Sequence, residues 1–475
     1  MIPFPEISLL IAACTVPVLD IFLPKNRSWV VYLVTQTGLL AAFLSVSLFA
    51  DFDRHLLFSD AYVRDTLSDS SKVFLFIGVA LSLVHAKRYL ELQGLFSGEY
   101  QSLTLFAVLG MSILISAHNF LTLYLGLELL ALSLYALSAL NKDSLIATEA
   151  AIKYFIFGAL ASGVLLYGMS ILYGVTGTLD LAQIARLLHQ QSDNKILLLA
   201  TIFVVAGVVF KFGAVPFHAW VPDVYQGTPT AVPQLIGGAP KIAALVMAIR
   251  ILGEGLGSHQ LMLHWQTILG VSIVASVAFG NLVALVQINF KRMLAYSAIA
   301  SAGFILLGIL PGTQKGYGVA LFYAITYALT VIPAFGLLMI LNRKDGFDPE
   351  MLDDFKGLSI RSPWYAGMML LIMFSMAGIP PLVGFIAKFA ILQEALTKGF
   401  LIVSIITVFF SVIGVYYYLR VIRLMYFDEV IDHTPINASY DVKVAISLNA
   451  LLLLIVGMFP TSLISYCIKA VGLQI

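Results

Sequence analysis

Residues 201–241 read TIFVVAGVVFKFGAVPFHAWVPDVYQGTPTAVPQLIGGAPK. The stretch starts as an apolar helix and places Lys211 inside it, roughly one turn before Pro216. An interior proline removes a backbone hydrogen bond and clashes with the preceding turn, so the helix is expected to break there. His218, Trp220 and Asp223 follow, then a Pro- and Gly-rich passage, then a second apolar run with Lys241 directly after Pro240. An ammonium group at bilayer depth costs at least ~3 kcal/mol on insertion scales. Two lysines held beside broken backbone point to a route for charge across a membrane.

The rest of the chain supplies the membrane. It has 475 residues, 60% hydrophobic and 11% charged, with a mean hydropathy of +0.96. Soluble domains carry about 25% charged residues. The fold class is therefore an all-α polytopic membrane protein. A net charge of +1 gives no footprint for nucleic acid or an anionic tail. Cys14 and Cys467 are too few and too far apart in sequence for an iron–sulfur or zinc ligand set, and they read as two buried apolar thiols, with a single disulfide between them as the alternative. The sequence has no GxGxxG after a strand, no Walker loop, no HExxH and no CxxC. The opening MIPFPEISLLIAACTVPVLDIFL lacks a basic leader region and reads as a first membrane helix.

At ~20 apolar residues per crossing, the chain holds about 14 spans. They fall near residues 4–23, 29–50, 72–86, 101–117, 119–140, 150–174, 196–215, 231–252, 262–287, 293–311, 317–341, 363–397, 400–425 and 444–470. Roughly 14 Lys/Arg lie in odd-numbered connections and roughly 8 in even-numbered ones. The odd group includes Lys25 with Arg27, Lys87 with Arg88, Lys291 with Arg292, and Arg343, Lys344, Lys356 and Arg361. Those connections should face the cytoplasm, leaving both termini outside. Residues 118–140 and 288–310 align loosely at an offset of 170 through a shared Asn-Phe, which sets Lys153 opposite Tyr323. A second broken span follows in AGIPPLVGFIAKF, with Pro380 and Pro381 and then Lys388 about two turns on. Paired interrupted helices are the mark of an inverted-repeat transporter, and the matching placement of break plus lysine carries this reading.

The buried ionisable residues read as Glu128, Lys153, Lys211, Lys241 and Lys388, with His218 near a break. One carboxylate cannot neutralise four ammoniums. Desolvation moves a buried lysine towards its neutral form, whereas arginine stays charged. The deep basic residues all read as lysines able to take up and release a proton, with arginines confined to connections and helix ends. Glu128 and Lys153, on adjacent spans, are expected to pair, and a moving Glu128 would act as a switch. Lys153 and Lys241 could alternatively snorkel to an interface. His218 either caps exposed backbone or relays protons.

HAWVPDVYQGTPTAV (218–232), with FKFGAVPF before it and PKIAALVMAIR after it, resembles the subunit N family of proton-pumping NADH–quinone oxidoreductase, bacterial complex I. The resemblance extends through LYLGLELLALSLYAL, AAIKYFIFGALASG, NFKRMLAYSAIA and AGIPPLVGFIAKF. It implies an antiporter-like fold of 14 helices, two inverted five-helix repeats and broken seventh and twelfth helices. The expected divisions are N-terminal helices over 1–100, a first repeat over 101–255, a second over 256–428 and a C-terminal helix over 429–475. By match to the family motifs, Glu128, Lys153, Lys211, Lys241 and Lys388 form the proton relay. Where many relatives carry a histidine, this chain has Ser301, with Tyr296 and Tyr323 as nearby hydrogen-bonding candidates. The resemblance further implies redox-driven proton translocation with no redox centre in this chain. NADH, flavin, iron–sulfur clusters and quinone would then belong to partner subunits, membrane and peripheral. The setting would be the bacterial inner membrane, with no nucleic acid involved. The alternative is a sodium/proton antiporter subunit of Mrp type.

Overall fold

The helices start where a short polar side chain can take up an exposed backbone N–H. Asp65, Ser97, Asn119, Ser144, Asn289 and Thr313 each cap a helix this way. The computed structural model describes residues 3–24, 27–49, 53–188, 195–343, 348–436 and 438–472; Lys25 and Lys344, used above for orientation, lie outside them.

The chain runs α1 (Phe4–Phe22), α2 (Ser28–Leu48), a small hairpin of β1 (His55–Leu57) and β2 (Tyr62–Arg64), then α3 (Thr66–Leu92), α4 (Gly98–Ile115), α5 (Phe120–Ser138) and α6 (Leu145–Thr176). A short α7 (Leu181–Leu188) precedes α8 (Lys195–Phe212) and α9 (Trp220–Gly227), then α10 (Ala231–Gly237) and α11 (Ala239–Ala248), which continues as a π-turn to Gly255. The second half holds α12 (His259–Ala284), α13 (Phe290–Ile309), α14 (Gln314–Ile340), the small α15 (Leu358–Arg361), α16 (Pro363–Ala377), α17 (Val383–Thr397), α18 (Leu401–Phe427), α19 (Tyr440–Met458) and α20 (Pro460–Val471). Among the described residues 13 segments are long and apolar enough to cross a membrane. α16 and α17 are each too short alone and together make one further crossing, the twelfth in chain order, for fourteen in all.

Three boundaries differ from the sequence reading. α3 is 27 residues long, not a short span over 72–86, because its polar first turns are buried and partnered. Asp65 and Ser68 form a capping box, and Lys72 meets Glu6 at 2.6 Å. The span at 231–252 is interrupted at Gly238, between α10 and α11. The last span ends at Met458, and Pro460 opens a separate helix, since proline suits a first turn but cannot continue one. The cysteines also part company: both are free, with Cys467 buried and Cys14 exposed.

The Asn-Phe alignment has a structural meaning. Asn119 caps α5 and Asn289 caps α13. Asn119 bridges to Asp180, and Asn289 bridges to Met351, both antiparallel. The two helices are the fifth and tenth crossings, so they enter the bundle from opposite ends: the repeat is inverted. α10–α11, α13 and α14 form its almost wholly buried centre. α18 turns Ile402, Phe409 and Val412 outward, as a lipid-facing helix should.

Candidate functional site: a lysine axis through two broken helices

Each broken crossing stops in the same way. Gly213 ends α8 at φ +67° and Gly378 ends α16 at φ +84°, in the left-handed region that favours glycine. Three residues after each comes a proline, Pro216 and Pro381. The breaks therefore correspond, but the lysines do not. Lys211 lies two residues before its glycine, at the end of the first half-helix. Lys388 lies on the second half-helix and reaches back, its Nζ donating to Met376 O at 2.9 Å and Ala377 O at 3.2 Å. Met376 is also two residues before its glycine. Lys388 thus brings its amine back to the carbonyls that end the first half-helix, whereas Lys211 extends from that half-helix itself. Carbonyls at a helix C-terminus carry partial negative charge, which suits a cation.

Lys241 follows the Gly238 break and is buried, at 6% exposure. Its Nζ donates to Ala298 O at 2.8 Å and lies 4.2 Å from the centre of the Tyr327 ring. A cavity lined by Lys211, Lys241, Tyr135, Tyr154, Tyr225 and Ala298 leaves about 30 Å³ open to a water centre. A second, of about 20 Å³, is lined by Lys388, Ser301, Tyr323, Tyr327, Ser375 and Tyr418. One water needs ~10–15 Å³. Lys241 lines the first cavity and faces Tyr327, which lines the second. Among the described residues none of Lys211, Lys241 and Lys388 forms an ion pair.

The expected Glu128–Lys153 pair does not form. Lys153 Nζ lies 2.8 Å from both Asp223 and Glu149, and its side chain is 40% exposed. Glu128 instead accepts from the Ser162 hydroxyl, which also reaches Tyr124 OH at 3.1 Å. Ser162 is nine residues beyond Lys153 on α6, about 13 Å along the axis. Adjacent spans suggested contact; depth along the helix forbids it. The charge that Glu128 does reach is Lys211.

A model of the NADH:quinone oxidoreductase/Mrp antiporter transmembrane family matches residues 117–414, which include both broken crossings. NADH-quinone oxidoreductase subunit N of Methylovorus glucosotrophus (strain SIP3-4) is 50% identical over 98% of this chain and 96% of its own. The chain belongs to the subunit N family. Among solved structures, a chain of respiratory complex I from Thermus thermophilus with bound aureothin matches with TM-score 0.82 at 29% identity, covering 97% of this chain and 98% of that one. A chain of the Mrp complex from Dietzia sp. DQ12-45-1b matches with TM-score 0.85 at 20% identity, covering 99% and 97%. The backbone is thus common to both branches, and full-length sequence identity is what places this chain with subunit N.

Within this subunit N family fold, Ser301 and Tyr323 do reach the Lys388 cavity. His218 and Tyr296 lie apart from both cavities, joined through Phe279, whose ring is 4.5 Å from His218 and 6.1 Å from Tyr296. The sequence reading missed Tyr327 and Tyr418, although Tyr327 repeats Tyr323 at helical spacing. It also left Asp223 without a role. Asp223 pairs with Lys153 and with Arg292 at 2.9 Å, tying α6, α9 and α13 together. Nor are the deep cations all lysine. Arg250 is fully buried between Asp65 at 2.7 Å and Glu254.

Proposed function

We propose that this chain is a membrane-arm subunit of a proton-translocating NADH–quinone oxidoreductase and moves protons along Lys211, Lys241 and Lys388. The observation that carries this is the row of three lysines that form no ion pair among the described residues, with Lys241 lining one small cavity and facing Tyr327, which lines the other. A nearby carboxylate favours a charged amine, and desolvation favours a neutral one. Glu128 beside Lys211 would hold a proton there; withdrawing or neutralising Glu128 would release it through the first cavity to Lys241. From Lys241 the proton would pass along the Tyr327 and Ser301 cavity to Lys388. The carbonyls of Met376 and Ala377 hold the Lys388 amine in place to receive it.

Electron transfer in partner subunits would drive the cycle, reaching this chain as a shift in its charged residues. Residues 101–255 and 256–428 would act as the two half-channels, flanked by helices over 1–100 and 429–475. The setting would be a bacterial inner membrane, with both termini on the outer side. His218 and Tyr296, away from the cavities, would serve the relay at most through its surroundings.

The test is Lys211→Ala or Glu128→Ala in assembled complex. NADH-driven pumping and quinone reduction should fall by about a hundredfold for Lys211→Ala, the smaller end of what a proton-transfer group contributes. Wild-type rates for both variants would rule the relay out. The Mrp reading predicts instead a sodium-dependent exchange that runs on a gradient without NADH.

A further inference from the structure

His85 is fully buried on α3 and belongs to neither cavity of the axis. The Gln234 amide donates to Ile332 O at 2.8 Å and contacts His85 Nδ1 at 3.1 Å. Among the described residues His85 Nε2, Gln234 Oε1 and Thr230 Oγ1 have no hydrogen-bond partner. Buried polar atoms are nearly always satisfied by protein or by internal water, so three such atoms within one region mark a place for water. They also form a column. Tyr89 lies one turn from His85 on α3, and Thr230 one turn from Gln234, beside and within α10. Tyr89 OH donates to Asp348 Oδ2 at 3.0 Å and accepts from the Thr230 N–H at 3.1 Å. A cleft lined by His85, Arg88, Tyr89, Asn342 and Ser439 has about 10 Å³ open to a water centre, the room one water takes. At the inner end, Gln234 is one turn before the Gly238 break and Lys241 one turn after it.

We infer that this column, Asp348–Tyr89–His85–Gln234, is a proton inlet that feeds Lys241 from the connection between α14 and α16. The inference rests on the proposed lysine relay and adds an entry to it. With the Gln234 amide donating to Nδ1, neutral His85 carries its hydrogen on Nε2. A proton arriving from the Asp348 end binds Nδ1 once the Gln234 amide turns and offers its free Oε1 as acceptor. The imidazolium then gives that same proton from Nδ1 to water beside Gln234 on the way to Lys241, Nε2 keeping its hydrogen throughout, and the turned-back amide restores the starting state. One proton enters and one leaves.

The deciding variant is His85→Gln in assembled complex. Glutamine keeps a hydrogen bond to Gln234 but cannot carry a proton, so a purely structural histidine predicts no change. The inlet predicts severalfold slower NADH-driven pumping, normal assembly and a larger solvent deuterium isotope effect. Wild-type pumping with an unchanged isotope effect would overturn it. If His85→Gln lowers the amount of assembled complex, Asp348→Asn on the surface connection gives the same reading: slower pumping supports the inlet, wild-type pumping overturns it. Lys211→Ala run alongside separates the two ideas. A slow Lys211→Ala with a normal His85→Gln removes only the inlet; a normal Lys211→Ala removes the relay beneath it.

Discussion

At the scale of single residues, Asp223 is the carboxylate with the most to lose. It holds Lys153 at 2.8 Å and Arg292 at 2.9 Å, and Arg292 also meets Gln226 at 3.1 Å. Asp223→Asn leaves Arg292 on a neutral partner and Lys153 on Glu149 alone. Residues that couple moving elements shift coupling by about 0.5–2 kcal/mol, so pumping by assembled complex should slow by roughly two- to thirtyfold. Lys153→Ala should slow it too, and the double variant should be little worse than either single one, because contacting residues are not additive. Fully additive losses in that cycle would mean Asp223 and Lys153 act separately. The lysines were legible in the sequence because a charge in apolar surroundings is conspicuous. Asp223 was not, because its value lies in distances to α6 and α13 that no spacing along the chain encodes. The Glu128 partner was misread for the same reason: neighbouring spans share a boundary, not a depth.

At the scale of elements, the broken crossings depend on close approach as well as on proline. A Cβ on Gly384 in α17 would lie 1.8 Å from Ser375 O of α16, a backbone atom that cannot swing away. Gly384→Ala must therefore push the two half-helices apart, moving Lys388 off the carbonyls it caps. Overpacking of this kind costs about 1–3 kcal/mol. The thermal unfolding midpoint of Gly384→Ala should fall. Gly367→Ala in α16, where a Cβ meets nothing within 4 Å, should not fall. Equal midpoints for the two variants would show that the contact is slack. Prolines announced both main breaks in the sequence, and their shared Gly-x-x-Pro form was there to be read. The Gly238 break was hidden because an interrupted apolar run still looks like one span, and Pro240 is equally at home in a helix's first turn. The length of α3 was hidden by polar residues whose partners lie on α1 and α11's π-turn.

At the scale of the whole molecule, carboxylates are unevenly distributed. At the end where α1 and α3 begin, charges are locked. Glu6 meets Lys72, Arg250 meets Asp65 and Glu254, and Glu254 also meets Arg54 at 2.8 Å. Along the axis the three lysines have no such partners among the described residues. Removing one member of a buried pair leaves an uncompensated charge and is strongly destabilising, so the locked end suits a fixed anchor and the axis suits movable protons. Asp65 shows the consequence in pH. Burial alone would raise its carboxyl, but Arg250 at 2.7–2.8 Å and the Ser68 N–H outweigh that and hold it below the usual carboxylate range. The folded chain then binds this proton less readily than the unfolded chain does. The stabilisation is present above the unfolded value of about 4 and is lost as pH falls below it. Asp65→Asn should therefore lower the thermal midpoint of the detergent-solubilised chain at neutral pH, and the gap to wild type should narrow as pH falls below about 4. A gap that stays constant over that range would mean the Asp65 carboxylate contributes by shape and hydrogen bonding alone, with no stake in the charge of Arg250.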